Sequence, residues 1–196
     1  MVDADDLIAE MNQEAAQQTR TLGKIDDLTD AQANALFEMI GLGALKFFLL
    51  KVDPKKRMTF DPNESIQLQG FTGPFIQYTH ARIKAILRKA HTLNISVSSA
   101  DVTAVTALEP AEREVVQLLH NYESKIREAA REYSPALIAN FAYDLAKTYN
   151  QFYQAIPIFS EGDKTRLCFR IALSQAVAEV IKKSMRLLGI DVPDRM

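Results

Sequence analysis

Apolar residues recur at three- and four-residue spacing along nearly the whole chain, the signature of helices with one buried face. Leu7, Ile8, Met11 and Ala15 fall on one stripe and predict a first helix over 4–22. Asp3, with Asp6 three residues on, suits its start, and Gly23 suits its stop. Thr29-Asp30-Ala31-Gln32 is a capping-box pattern that opens a second helix, through Leu36, Met39, Ile40 and Leu45, to about 49. Over 47–60 the pattern changes. Aromatic and β-branched residues flank Asp53-Pro54, so a small β-hairpin competes there with a continued helix. Residues 61–72 lack a period and hold Pro62 and Gly70; they read as a compact loop, the kind of segment that carries function on a rigid scaffold.

Pro74 suits the first turn of a helix over 74–91. Residues 92–108 are polar and β-branched and read as a surface linker. Pro110 opens a further helix over 111–122, which continues or kinks near Glu123 and ends by Tyr133. Pro135 starts another to about 153, and Pro157 separates it from a last helix over 163–188 that ends at Gly189. No repeat of 20–50 residues is visible. The fold class is therefore all-α, a helical bundle, with a small hairpin near 47–60 as the one β element.

Composition narrows the classes. Of 196 residues, 47% are apolar, enough for a real core, and Gly and Pro number only seven each, which excludes a disordered chain. The formal charge of −2 argues against a non-specific polyanion binder but leaves room for a local basic face. Cys168 is the single cysteine, so no internal disulfide forms, and it reads as buried and inert among Leu167, Phe169 and Ile171. His80, His91 and His120 are too scattered for zinc spacing, so no metal is expected. The longest apolar run, 42–50, is interrupted by Lys46 and is short for a membrane span, and residues 1–6 carry no secretory pattern. A cytoplasmic, reducing compartment and no membrane partner are expected. Glu112 and Glu114 read as a solvated helix face.

The helix after Pro74 carries the candidate chemistry. Phe75, Tyr78 and Arg82 fall within about 60° of one another, beside a core stripe of Ile76, Thr79, Ile83, Ile86, Leu87 and Ala90. Aromatic faces stack on unpaired bases, and a guanidinium stacks or binds phosphate. Gly70 and Gly73 allow backbone turns and close approach of a ligand. By pattern alone, packing is the commoner role of two aromatics at i and i+3. His80, Lys84, Arg88 and Lys89 read as lying on different sides of the helix, without forming one stripe.

Several motifs together resemble the C-terminal region of the arginyl-tRNA synthetase family. Ile40-Gly41-Leu42-Gly43-Ala44-Leu45-Lys46-Phe47 is similar to the family's helix after the nucleotide-binding loop. Gly73-Pro74-Phe75-Ile76-Gln77-Tyr78-Thr79-His80-Ala81-Arg82 is similar to its Gly/Ala-Pro-Tyr-Leu-Gln-Tyr-Ala-His/Tyr-Ala-Arg. Tyr143-Asp144-Leu145-Ala146, Asn150-Gln151-Phe152-Tyr153, Arg166-Leu167 and Leu187-Leu188-Gly189-Ile190 resemble its anticodon-binding bundle, and Pro193-Asp194-Arg195-Met196 its Pro-Glu-Arg-Met terminus. Phe75 stands where the family usually has tyrosine, Gln69 replaces a common Glu, and Phe71 a polar Asn or Asp.

The resemblance implies that residues 1–62 are the tail of a catalytic region and 63–196 an anticodon-binding α-helical bundle. It implies tRNA-Arg as partner, with Gly70, Phe75, Tyr78, Arg82 and Met196 at the anticodon and no catalytic residue in this chain. Every arginine codon has G in the middle, so the cognate anticodon has C there, and a backbone carbonyl of the Gly70 loop could accept from its amine. The HIGH-type and KMSKS-type motifs of arginine–tRNA ligation are absent, so ATP belongs to a catalytic domain outside this chain and no cofactor to the chain itself. The rival reading is a stand-alone helical module that uses the Phe75/Tyr78 surface for a protein partner. Steep loss of RNA binding with salt favours the first reading. An independent hydrolase or metal enzyme lacks a nucleophile set or ligands.

Overall fold

The computed structural model describes residues 3–21 and 28–196. Its helices are α1 (Ala4–Thr21), α2 (Asp30–Leu50), α3 (Pro62–Ser65), α4 (Gly73–Thr92), α5 (Ser99–Thr103), α6 (Pro110–Glu132), α7 (Pro135–Ala155) and α8 (Lys164–Leu187), with a 3-10 turn at Ile158–Ser160. The sequence punctuation sets most boundaries. The Thr29/Gln32 capping box forms in both directions, Asp61 and Asp163 cap α3 and α8, and Pro begins α3, α6 and α7. The stop read at Gly23 lies outside the described residues.

No strand occurs among the described residues, so the hairpin at 47–60 does not form. Helix α2 continues through Leu50, with Phe47 and Phe48 packing from the helix onto rings of the segment between α2 and α4. Phe47 packs edge-on against Phe71 at 5.5 Å, and Phe48 against Phe60 at 5.0 Å. The 92–108 segment is more than a surface linker: it contains α5, and Ile95, Val97, Val102, Val105 and Leu108 pack onto the core. Helix α6 runs unbroken past Glu123, and its chain reverses at Tyr133 in the left-handed conformation (φ 50°).

Two cores share α2. The smaller joins Met11 and Ala15 of α1 to Leu36, Phe37, Ile40, Ala44 and Leu45 of α2, with Ile66 closing one end. The larger lies among α4, α6, α7 and α8, around Ile76, Ile83, Leu145, Tyr149, Phe152, Val177 and Ile181. Helix α2 is long and apolar enough to cross a membrane by length and composition, but half of it is buried between these cores. Its remaining face carries an apolar stripe at helical spacing: Ala35 exposed, Met39 and Leu42 half-buried, and Leu49 50% exposed. Helices α2 and α4 cross at Gly73. A Cβ there would stand 2.6 Å from the Gly43 carbonyl oxygen and 2.9 Å from Phe47 Cβ, so close approach, not turn geometry or a ligand, requires this glycine.

Glu112 corrects a sequence reading. Only 1% of it is exposed, and it is no part of a solvated face. Its carboxylate accepts from Arg170 Nε at 2.7 Å and from its own capping partner, the Glu109 N–H, at 2.9 Å. Arg170 also donates to Glu161 at 2.6 Å, binding α6 to α8 and to the turn before it. Glu114 is exposed as expected. Cys168 is buried, which raises its thiol pKa.

Candidate functional site

Helix α4 is built to be rigid where the candidate residues sit. Thr72 caps it, accepting from the Phe75 N–H at 3.3 Å and donating to the Gln67 carbonyl at 2.6 Å, which also fixes the preceding loop. Gly70 turns that loop at φ 84°. Lys51 ties it back to α2, donating to the Phe71 carbonyl at 3.0 Å with its ammonium over the Phe48 and Phe71 rings. Burial lowers the Lys51 pKa, with nearby Glu64 opposing.

On the adjoining face of α4 lies a cleft of about 450 Å³, within the usual range for a binding pocket. Tyr78, Arg82 and Arg88 of α4, Tyr153 of α7, and Arg195 and Met196 line it, and its remaining wall is apolar. The Arg82 guanidinium lies 4.9 Å from the Tyr78 ring centre and 5.5 Å from that of Tyr153. It donates to Asn150 Oδ1, and Asn150 Nδ2 donates to Thr79 Oγ at 2.8 Å. Asn150 is buried, so this amide fixes the arginine from the core side and leaves its charge uncancelled. Two phenol rings and three guanidiniums, with no aspartate or glutamate side chain among the lining residues, suit a planar base carried on a phosphate backbone.

The five sequence-derived candidates do not all meet. Tyr78, Arg82 and Met196 come together in the cleft. Phe75 does not line it; its ring packs at 5.4 Å against Tyr143, which also meets Phe71 at 4.6 Å. Gly70 does not line the cleft either; it is exposed, with its carbonyl accepting from the Thr72 N–H at 3.1 Å. A carbonyl has a second lone pair, so the acceptor role read for this loop stays chemically open. Sequence reasoning missed Tyr153, Asn150 and Arg195. Asn150 and Tyr153 sit at i and i+3 near the end of α7, and this spacing was the available signal.

The basic residues of α4 also need correction. His80, Lys84 and Arg88 stand at i, i+4 and i+8 and share one face, on which all three engage the chain end. Lys89 alone lies elsewhere, 4.5 Å from the Phe159 ring centre. Among the described residues no group of three or more His, Cys, Asp or Glu is placed to hold a metal ion.

Comparison with known proteins matches residues 76–196 to the family described as the DALR anticodon binding domain. The chain belongs to this family. Across all 196 residues it is 50% identical to the arginine–tRNA ligase of Flavobacterium psychrophilum and 47% identical to that of Parabacteroides distasonis. It spans 32% and 33% of those proteins, about a third of their length. Its whole fold superimposes on 32% of Thermus thermophilus arginyl-tRNA synthetase with a TM-score of 0.87 at 30% identity. The DALR match covers α4 from Ile76 onward and every later helix, and so takes in Tyr78, Arg82, Tyr153 and Met196.

Proposed function

We propose that this chain is the tRNA-reading region of an arginine–tRNA ligase and binds the anticodon arm of tRNA-Arg in the α4–α7 cleft. Tyr78 and Tyr153 stack on unpaired bases, Arg82 binds backbone or stacks between them, and Met196 closes the apolar side. Gly70 and Phe75 form a second contact area at the loop. The carrying observation is the Arg82 guanidinium held between two tyrosines by a neutral amide, which leaves a fixed positive charge beside π faces. In this reading residues 1–62 belong with a catalytic region supplied by further polypeptide, where ATP-dependent arginylation takes place in the cytoplasm. The Ala35–Met39–Leu42–Leu49 stripe on α2 suits cover by that region, being apolar and only partly buried.

Fluorescence titration with an arginine anticodon stem-loop, and with the same stem-loop carrying U for the middle C, tests this at two salt concentrations. Preference for C, with affinity falling as salt rises, is the expected result. Equal affinity for both would remove anticodon reading, and salt-insensitive capture of a protein would favour an interaction module instead.

A further inference from the structure

We infer that Gln77, His80, Lys84 and Arg88 form a clamp that holds residues 191–194 along α4 and thereby positions Met196 in the cleft. These four are positioning residues for RNA discrimination. The inference rests on the reading of the cleft as an RNA site.

The chain leaves α8 through a tight reversal. The Gly189 N–H bonds to the Arg186 carbonyl and the Ile190 N–H to the Met185 carbonyl, each at 3.0 Å, with Gly189 at φ 68°. Lys46 Nζ donates to the Gly189 carbonyl at 2.7 Å. Beyond this point the tail has no helix of its own, and every further polar anchor described comes from α4. Gln77 Nε2 donates to the Asp191 carbonyl at 2.8 Å and to the Met39 carbonyl at 3.0 Å, so one buried amide joins tail, α4 and α2. His80 Nδ1 meets the Pro193 carbonyl at 2.8 Å. A carbonyl only accepts, so Nδ1 carries the hydrogen. Lys84 Nζ lies 3.6 Å from the Asp194 carboxylate, and Arg88 donates to the Asp194 carbonyl at 2.8 Å.

Residues 77, 80, 84 and 88 fall within about 80° on the helix. That arc borders the one bearing Tyr78, Ala81 and Arg82, which line the cleft. The clamp therefore ends where the tail must turn inward, and Arg195 and Met196 follow directly into the cleft wall. An unheld tail would sample many conformations, and ordering it on binding would weaken affinity. With the tail held beforehand, the Met196 thioether is present before a base arrives.

The test uses the whole chain, methyl-labelled at methionine and read by NMR without RNA, followed by titration with the arginine anticodon stem-loop. His80→Leu is expected to move the Met196 methyl to the position of an unstructured methionine and to weaken stem-loop binding roughly five- to tenfold. His80→Asn, whose amide nitrogen replaces Nδ1, is expected to restore both. In a Met196→Ala background His80→Leu should weaken binding no further. Should His80→Leu fail to fold, Lys84→Met at the more exposed part of the stripe gives the same methyl change to a smaller extent. An unmoved methyl in folded variants, or full loss from His80→Leu without Met196, overturns the clamp. Absence of stem-loop binding by the unaltered chain overturns the RNA reading instead, and the RNA-free spectrum tells the two failures apart.

Discussion

Arg82 and Arg170 are both held in place between helices, but their surroundings differ in one respect that decides what each can do. Arg170 is 5% exposed and faces two carboxylates, Glu112 and Glu161, so its charge is spent inside the fold. Arg82 is half-buried and is fixed by the neutral Asn150 amide and two tyrosine rings; among the described residues it makes no salt bridge. An arginine cancelled by acids ties α6 to α8. One oriented without cancellation keeps its attraction for an anion. The same residue type thus serves cohesion on one side of the bundle and, in the proposed reading, binding on the other.

The largest expected effect breaks the cohesive side. Glu112→Gln removes the buried charge facing Arg170 and should destabilise the chain by about 3–5 kcal/mol in urea unfolding. A loss below about 1 kcal/mol would mean that Glu161 and water suffice for Arg170. Gly73→Ala should destabilise by about 1–3 kcal/mol, because the new methyl meets the α2 backbone rather than a yielding side chain. It also displaces α4, so a stem-loop affinity lost beyond the fraction unfolded would show that the two regions are mechanically coupled. Arg82→Met should change stability little and reduce the slope of log affinity against log salt by about one. An unchanged slope would place its charge outside the RNA contact.

The smallest effect concerns His80, a buried group on the binding side. Burial first, then the Lys84 and Lys182 charges, hold its pKa below 6.5, while the Pro193 carbonyl and Asp194 act in the opposite direction. Well above pH 6.5 the ring is neutral in folded and unfolded chains alike, and its contribution is complete. As pH falls below 6.5 the unfolded chain takes up a proton first, so stability declines until the folded-state pKa is passed. His80→Asn should flatten that part of a pH–stability curve; an identical decline would assign it to other groups.

Much of the helical order was legible because caps and prolines act locally. Thr29 with Gln32, Pro110, Pro135, Asp163 and Gly189 do what their types dictate. What escaped was decided at long range. The hairpin failed because Phe47 packs on Phe71, outside the 47–60 window, and Phe48 meets Phe60 from a helix rather than from a paired strand. Glu112 looked solvated because its partner Arg170 lies 58 residues away. The cleft was half legible: Tyr78 and Arg82 follow from helical spacing and Met196 from family resemblance, while Tyr153 and Asn150 arrive from another helix. The His80–Lys84–Arg88 stripe was present in the i, i+4, i+8 spacing, and its meaning depended on a tail more than a hundred residues away, with separations of 113 and 106.

The most direct measurement is the affinity of Tyr78→Ala for the C-bearing arginine stem-loop, beside the unaltered chain, with folding checked by circular dichroism. Loss of about 1–3 kcal/mol of binding, the range for one stacked base, with the helical signal intact is the expected result. A folded Tyr78→Ala chain that binds the stem-loop as tightly as the original would contradict the assignment of the cleft to RNA.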